Sequence, residues 1–244
     1  TGQSSCTDAS AGYYVDSTTQ TAQTACLAGT YNTNTASTTS SDCLDASAGY
    51  YVGSTGQSSQ TACAAGTYQA STGQSSCTDA SAGYYVPTTG QTSQTECAAG
   101  TYQSATGQSS CIDADAGNYV GSTGQTSQTE CAAGTYQAST GQSSCIDADA
   151  GNYVGSTGQT SQTECAAGTY QASTGQSACT DASAGHYVDS TAQTAQTECA
   201  EGTYQSLTGQ TSCTDADAGY YVPTTGQTTQ TACLAGTYNA NTGS

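Results

Sequence analysis

The chain has 244 residues, no Lys, Arg, Phe, Met or Trp, and a formal net charge of −18. A chain without a basic side chain has nothing to neutralise phosphates, which argues against nucleic-acid binding, and anionic membrane surfaces repel it. No apolar run approaches the roughly 20 residues that cross a bilayer and no segment reads as a signal peptide, so a sequence without an initiator Met reads as a mature product or an interior fragment.

From the N-terminus, the first elements establish a period. Residue 1 falls inside a unit, in T-G-Q-S-S ending at Cys6. Gly12 then anchors a unit, and the anchor recurs at Gly29, Gly49, Gly66, Gly83 and onward to Gly219 and Gly236. Every step is 17 residues except Gly29 to Gly49, which is 20. A tyrosine stands two residues after each anchor and a threonine six after it, as in Tyr68 and Thr72. The chain is therefore read as a single tandem array, 1–244, of fourteen 17-residue units or seven 34-residue repeats. It is cut within a unit at both ends and carries no separate globular domain.

Within a unit such as that of Gly66, G-T-Y-Q and Q-S-S-C flank S-T-G. Thr, Tyr and Val favour strands and the glycine permits a turn, which predicts a short β-hairpin with a disulfide at its base. At three tips Thr19, Ala36 and Ala192 replace the glycine, which predicts a turn with no absolute need for a positive φ. No apolar period of 3.6 residues argues for helix.

Cysteines occupy two slots that flank each alternate anchor, fourteen residues apart. In the intervening units both are vacated together, as at Ala80 and Gln94. Joint loss is what bonded partners show. It points to Cys63–Cys77, Cys97–Cys111, Cys131–Cys145, Cys165–Cys179 and Cys199–Cys213, with Cys26–Cys43 as the same bridge around the three-residue insertion. The competing pairing joins cysteines twenty apart, such as Cys111–Cys131, and spacing does not decide between them. Closing a loop of about 15 residues stabilises by about 3 kcal/mol in the chain-entropy model. Large aliphatic residues are scarce, so disulfides replace hydrophobic burial, which points to an oxidising, extracellular or cell-surface location.

The text C-x-x-G-T-Y, seven residues, then T/S-S-C resembles the ephrin-receptor-like cysteine-rich repeat, which is related to the first module of tumour-necrosis-factor-receptor cysteine-rich domains. That resemblance covers the whole chain, although alternate units lack the family's second cysteine pair. It implies small all-β, disulfide-stapled modules stacked as an elongated extracellular rod. Repeat arrays contact their neighbours along one dimension. The alternative architecture is a β-solenoid with 17-residue coils.

At the C-terminus Cys233 lacks a downstream partner, as Cys6 lacks an upstream one. Written before the first segment, the last gives CLAGTYNANTGSTGQSSC, which matches Cys26 to Cys43, CLAGTYNTNTASTTSSDC, in length and cysteine spacing. Cys6 and Cys233 are thus expected to pair across segment ends, with copies of the chain or adjoining segments of a longer one as partners.

Other candidates are weighed against simpler roles. Asp113/Asp115, Asp147/Asp149 and Asp215/Asp217 offer oxygen ligands of the kind Ca²⁺ takes, against a solvated acidic edge; no other cofactor is implied. Thr72, Thr106 and Thr140 are candidate O-glycan sites in a chain that is about a third Ser and Thr and has no N-glycosylation sequon. His186, the only histidine, reads as a surface substitution. No nucleophile–base pair, phosphate loop or metal cluster supports an enzyme. The periodic tyrosines are expected to pack over disulfide and hairpin.

The expected function is structural, in an extracellular filament, fibril or surface stalk, and the absence of Lys and Arg denies trypsin-like proteases a cleavage point. The alternatives are a spacer in an adhesin or receptor ectodomain, and a repetitive ice- or glycan-binding surface.

Overall fold

The structure, a computed structural model, describes Gly2 and residues 5–244. Among the described residues it is all β apart from one 3-10 turn, Ser40–Asp42, inside the three-residue insertion. Thirteen two-stranded sheets follow one another along the chain. Packing divides the chain into two compact units: one runs to Asp113 and includes Val120–Gln128, the other is Ala114–Tyr119 with Thr129–Ser244. The same local pattern fills each.

In the first unit, strand Thr67–Tyr68 pairs antiparallel with Thr78–Asp79, Thr67 opposite Asp79 and Tyr68 opposite Thr78. The anchor glycine sets the entry to this hairpin. Gly66 takes φ +88°, its carbonyl accepts from Ala80 N at 2.8 Å, and Thr67 N donates to Ala64 O at 3.0 Å. The strand ends after two residues because Gln69 turns its N–H away, to Gln91 O of the following repeat unit at 3.1 Å. The returning strand therefore begins after Cys77. The expected strand Q-S-S-C is instead part of a longer connecting loop, residues 69–77.

Two-residue hairpins are marginal alone, so bonds to neighbouring repeats complete them. Gly66 N donates to Val86 O at 2.8 Å, and Gly90 N donates back to Cys63 O at 2.8 Å. In the second compact unit the pattern recurs: Gly168 N to Val188 O at 2.8 Å, Gln171 N to Gln193 O at 3.0 Å, and Ala192 N to Cys165 O at 2.9 Å. Contact also reaches the next repeat but one. The Cα of Gly66 lies against the carbonyl of Gly107, and that of Gly168 against Gly209. Nearest-neighbour contact alone does not describe this array.

The turn at the tip departs from expectation. Thr19, Ala36 and Ala192 hold φ of 70°, 56° and 58°, close to the 70° of Gly73 and Gly175. The left-handed conformation is kept even without glycine, at about 1–2 kcal/mol for an L-residue. At Ala192 the retained N–H bond to Cys165 O offsets it. The core is narrow. The slot three residues before each anchor buries Cys in one repeat unit and Ala in the next, both at 0% exposure in Cys63 and Ala80. The slot three residues after it buries Val52, Val86, Val120, Val154, Val188 and Val222 in alternate units.

Candidate functional site

The most specific chemistry in the chain is the pair of slots that alternate between cysteine and its replacement. Disulfides join Cys26–Cys43, Cys63–Cys77, Cys97–Cys111, Cys131–Cys145, Cys165–Cys179 and Cys199–Cys213, each with Cα atoms 5.7 Å apart. The pairing twenty residues apart is not formed. Each bridge clips a hairpin, but not at its base. Cys77 leads directly into the returning strand Thr78–Asp79, whereas Cys63 directly follows strand Thr61–Ala62 of the preceding hairpin. The clip thus joins successive hairpins. Six such bonds indicate a non-reducing environment, as in secreted or extracellular proteins.

The vacated slots are not empty of function. Where the second cysteine is missing a glutamine stands, and its side chain reaches back thirteen residues, to the residue that follows the first slot, where a clip spans fourteen. Gln94 Oε1 accepts from Ser81 N at 2.7 Å, Gln162 from Asp149 N at 2.7 Å, Gln196 from Ser183 N at 2.7 Å and Gln230 from Asp217 N at 2.7 Å. Ser10–Gln23 and Ser47–Gln60 form the same contact at 2.8 and 2.6 Å. A covalent clip therefore alternates with a hydrogen-bonded clamp. Reading the vacancy only as lost cysteines misses this; the signal available was that a glutamine fills the slot each time.

A third slot follows the same alternation. Three residues after the anchor, clamp units bury valine and most clip units carry a glutamine that pins their own loop. Gln103 Nε2 donates to Ser110 O at 2.9 Å while its Oε1 accepts from Ala105 N at 3.1 Å; Gln137 does likewise with Ser144 and Ser139. Every buried side-chain nitrogen and oxygen among the described residues has a partner. That is what an array with little apolar area needs, since a buried orphan costs about 1–3 kcal/mol.

The equivalence of clip and clamp can be tested by exchange. Ala148 is as buried as Cys131, and its N–H donates to Gly134 O at 2.9 Å as that of Cys131 does to Gly117 O at 2.9 Å. The double substitution Ala148→Cys, Gln162→Cys is expected to form a seventh disulfide and to stabilise the local hairpin by about 2–3 kcal/mol. Peptide mapping without reductant, together with thermal unfolding, checks it; two free thiols in the folded variant would refute the equivalence.

The remaining candidates separate in space. Asp147, on the hairpin of Gly134, lies against Gly175 at the tip of the next unit but one, whereas Asp149 Oδ2 accepts from Gln162 Nε2 at 2.7 Å. Asp215 and Asp217 divide in the same way, towards Gly243 and Gln230. Asp113 stands on strand Ile112–Asp113, opposite Thr101, and Asp115 lies three residues before the next hairpin, where its carbonyl accepts from Asn118 N at 3.0 Å. No group of three His, Cys, Asp or Glu residues among the described residues is placed to hold a metal ion.

Thr72, Thr106 and Thr140 are exposed at the tips of clip units. In four clamp units the tip threonine is engaged: Thr123, Thr157, Thr191 and Thr225 donate to Glu96, Glu130, Glu164 and Glu198 at 2.9, 2.9, 3.1 and 3.0 Å. Acidic residues expected to form a solvated edge therefore also tie a clamp unit to the next clamp unit, two units along.

His186 is half-buried in strand His186–Tyr187, opposite Glu198, with Nε2 3.9 Å from Glu198 Oε1. Tyr84 occupies the same position opposite Glu96 and donates its hydroxyl to Oε1 at 3.0 Å. That hydrogen bond, then the charge of the carboxylate, raises the Tyr84 pKa above the ordinary tyrosine value. Tyr119 and Cys145 share the wall of a shallow hollow with Thr129, Ala132 and Thr135, where tyrosine was expected beside disulfide. Cys6 is exposed and Cys233 half-exposed, both as free thiols. No helix among the described residues is long and apolar enough to cross a membrane. No family model matches the chain, and no curated protein matches it.

Proposed function

We propose that the chain is a structural, non-catalytic component of an extracellular filament, fibril or surface stalk, a rod of stacked hairpins. The observation that carries this reading is the unit-to-unit backbone ladder. Bonds of the type Gly66 N to Val86 O and Gly90 N to Cys63 O recur with nearly constant lengths in both compact units, so added units extend the same contacts. The alternation of clip and clamp places no singular constellation at any one repeat.

The C-terminal segment supports partnership with copies of the chain or with adjoining segments of a longer one. Gly219 N donates to Asn239 O and Val222 N to Ser244 O, as Gly12 N does to Asn32 O and Val15 N to Ser37 O. The last segment thus receives the same bonds from the unit before it as the insertion-bearing unit of Gly29, in which Cys26 is bonded to Cys43. The free Cys233 occupies the position of Cys26, and the residue equivalent to Cys6 is its proposed partner across segment ends.

Electron microscopy of the native material is expected to show long filaments whose axial repeat is commensurate with the 34-residue period. Discrete particles bearing a distal globular domain would overturn this in favour of a spacer in a larger ectodomain.

A further inference from the structure

Alternating covalent and hydrogen-bonded closures have a mechanical consequence. A pull along the backbone enters each clip at one cysteine and leaves at the other, so the loop between them carries no load. Strand Thr67–Tyr68 lies inside the loop Cys63–Cys77 and is bypassed. The next hairpin, Tyr84–Tyr85 with Thr95–Glu96, lies wholly in the stretch Cys77 to Cys97. Both its strands carry the load, and noncovalent contacts alone hold it: backbone bonds, the Gln94 clamp, and the side-chain bonds that Glu96 accepts from Tyr84 and Thr123. Asn152–Tyr153 with Thr163–Glu164, between Cys145 and Cys165, is placed in the same way and clamped by Gln162.

We propose that the array is an extensible tether with a fixed limit, in which clamp hairpins yield one by one under tension and disulfide loops are a reserve that force cannot open. The idea rests on the filament reading and gives it a role, that of absorbing strain. The acidic residues add to it: Glu130 receives Thr157 and Glu164 receives Thr191, so each released hairpin also loosens the tip contact of the next clamp unit. No covalent bond is made or broken in extension; opening the reserve requires a thiol reductant, which takes each protein disulfide to two thiols by exchange while its own thiols are oxidised to a disulfide.

Seven stretches of 20 residues lie outside the loops between Cys6 and Cys233. At about 3.5 Å per residue each can contribute up to roughly 70 Å. The two free thiols are natural handles for optical-tweezer pulling of the intact oxidised chain. Expected are successive steps of at most about 70 Å each, recovered on relaxation. Extension should stop at a limit that grows about 1.5-fold once the disulfides are reduced. Gln162→Ala, which removes both the oxygen that accepts from Asp149 N and the amide that donates to Asp149 Oδ2, should lower the force of one step and leave its length unchanged.

A single all-or-none rupture, or a step pattern that ignores Gln162→Ala, would overturn the proposal. A folded native chain that extends beyond the oxidised limit without reductant would do the same. Because pulling is done on isolated chains, these outcomes are independent of whether micrographs show filaments. A chain that yields stepwise but never assembles refutes the filament and leaves the tether standing.

Discussion

Reduction of the six disulfides is expected to unfold the chain at room temperature. The buried side chains are chiefly cysteine, alanine and valine, with Cys63, Cys97, Cys131, Cys165 and Cys199 at 0% exposure. Burying a valine contributes about 1.5–3 kcal/mol, and the array buries one in each 34-residue repeat from Val52 to Val222. Each clip closes a loop of separation 14, or 17 in the insertion, and contributes about 3 kcal/mol by restricting the unfolded chain. A clamp is one hydrogen bond of about 1 kcal/mol net. Hydrogen exchange of the anchor-glycine amides, together with chymotrypsin cleavage at the half-buried tyrosines, reads the outcome. Both should rise by more than tenfold in a thiol reductant and fall again on reoxidation. Exchange unchanged by reduction would mean that the backbone ladder suffices without the clips.

The sequence exposes the repeat and its cysteines because both are periodic, and a period of 17 survives any local ambiguity. The hairpin is less legible for a physical reason. Its strands are two residues long, and what ends them is a bond from Gln69 to Gln91, in the following unit rather than in the local text. At the tip turn, replacement of glycine by Thr19, Ala36 and Ala192 suggests a freedom from the left-handed conformation that does not exist. All three residues occupy it, held by the surrounding contacts. The clamp was hidden by chemistry: glutamine in a cysteine slot resembles loss until its oxygen is seen on the amide of Ser81 or Asp149. The paired aspartates illustrate the limit of spacing alone. Asp147 and Asp149 are two apart, yet one meets the tip of the next unit but one and the other a clamp.

Alanine at an anchor glycine is expected to be far more damaging than alanine at a tip glycine seven residues away. Gly168 has φ +88° and Gly175 φ +70°, so both pay the left-handed penalty of about 1–2 kcal/mol. They differ in what a methyl group would meet. At Gly175 the nearest atoms are the Asp147 carboxyl carbon at 3.4 Å and its oxygens at 3.5 and 3.6 Å, on a side chain that can turn aside. At Gly168 the methyl would run into the backbone carbonyl of Gly209, which sits at a tip whose own N–H is bonded to Ala182 O at 2.8 Å. Backbone held in that way cannot yield without breaking the contact between a unit and the next but one. Gly175→Ala should therefore cost about 1 kcal/mol, near what Ala192 already sustains. Gly168→Ala should cost about 2–5 kcal/mol, adding the overpacking term. Local hydrogen exchange at Gly202 and Gly209 separates the two: a fall in protection there is expected for Gly168→Ala and not for Gly175→Ala. Equal effects would show that the conformation of the anchor, rather than close stacking across two units, is what demands glycine.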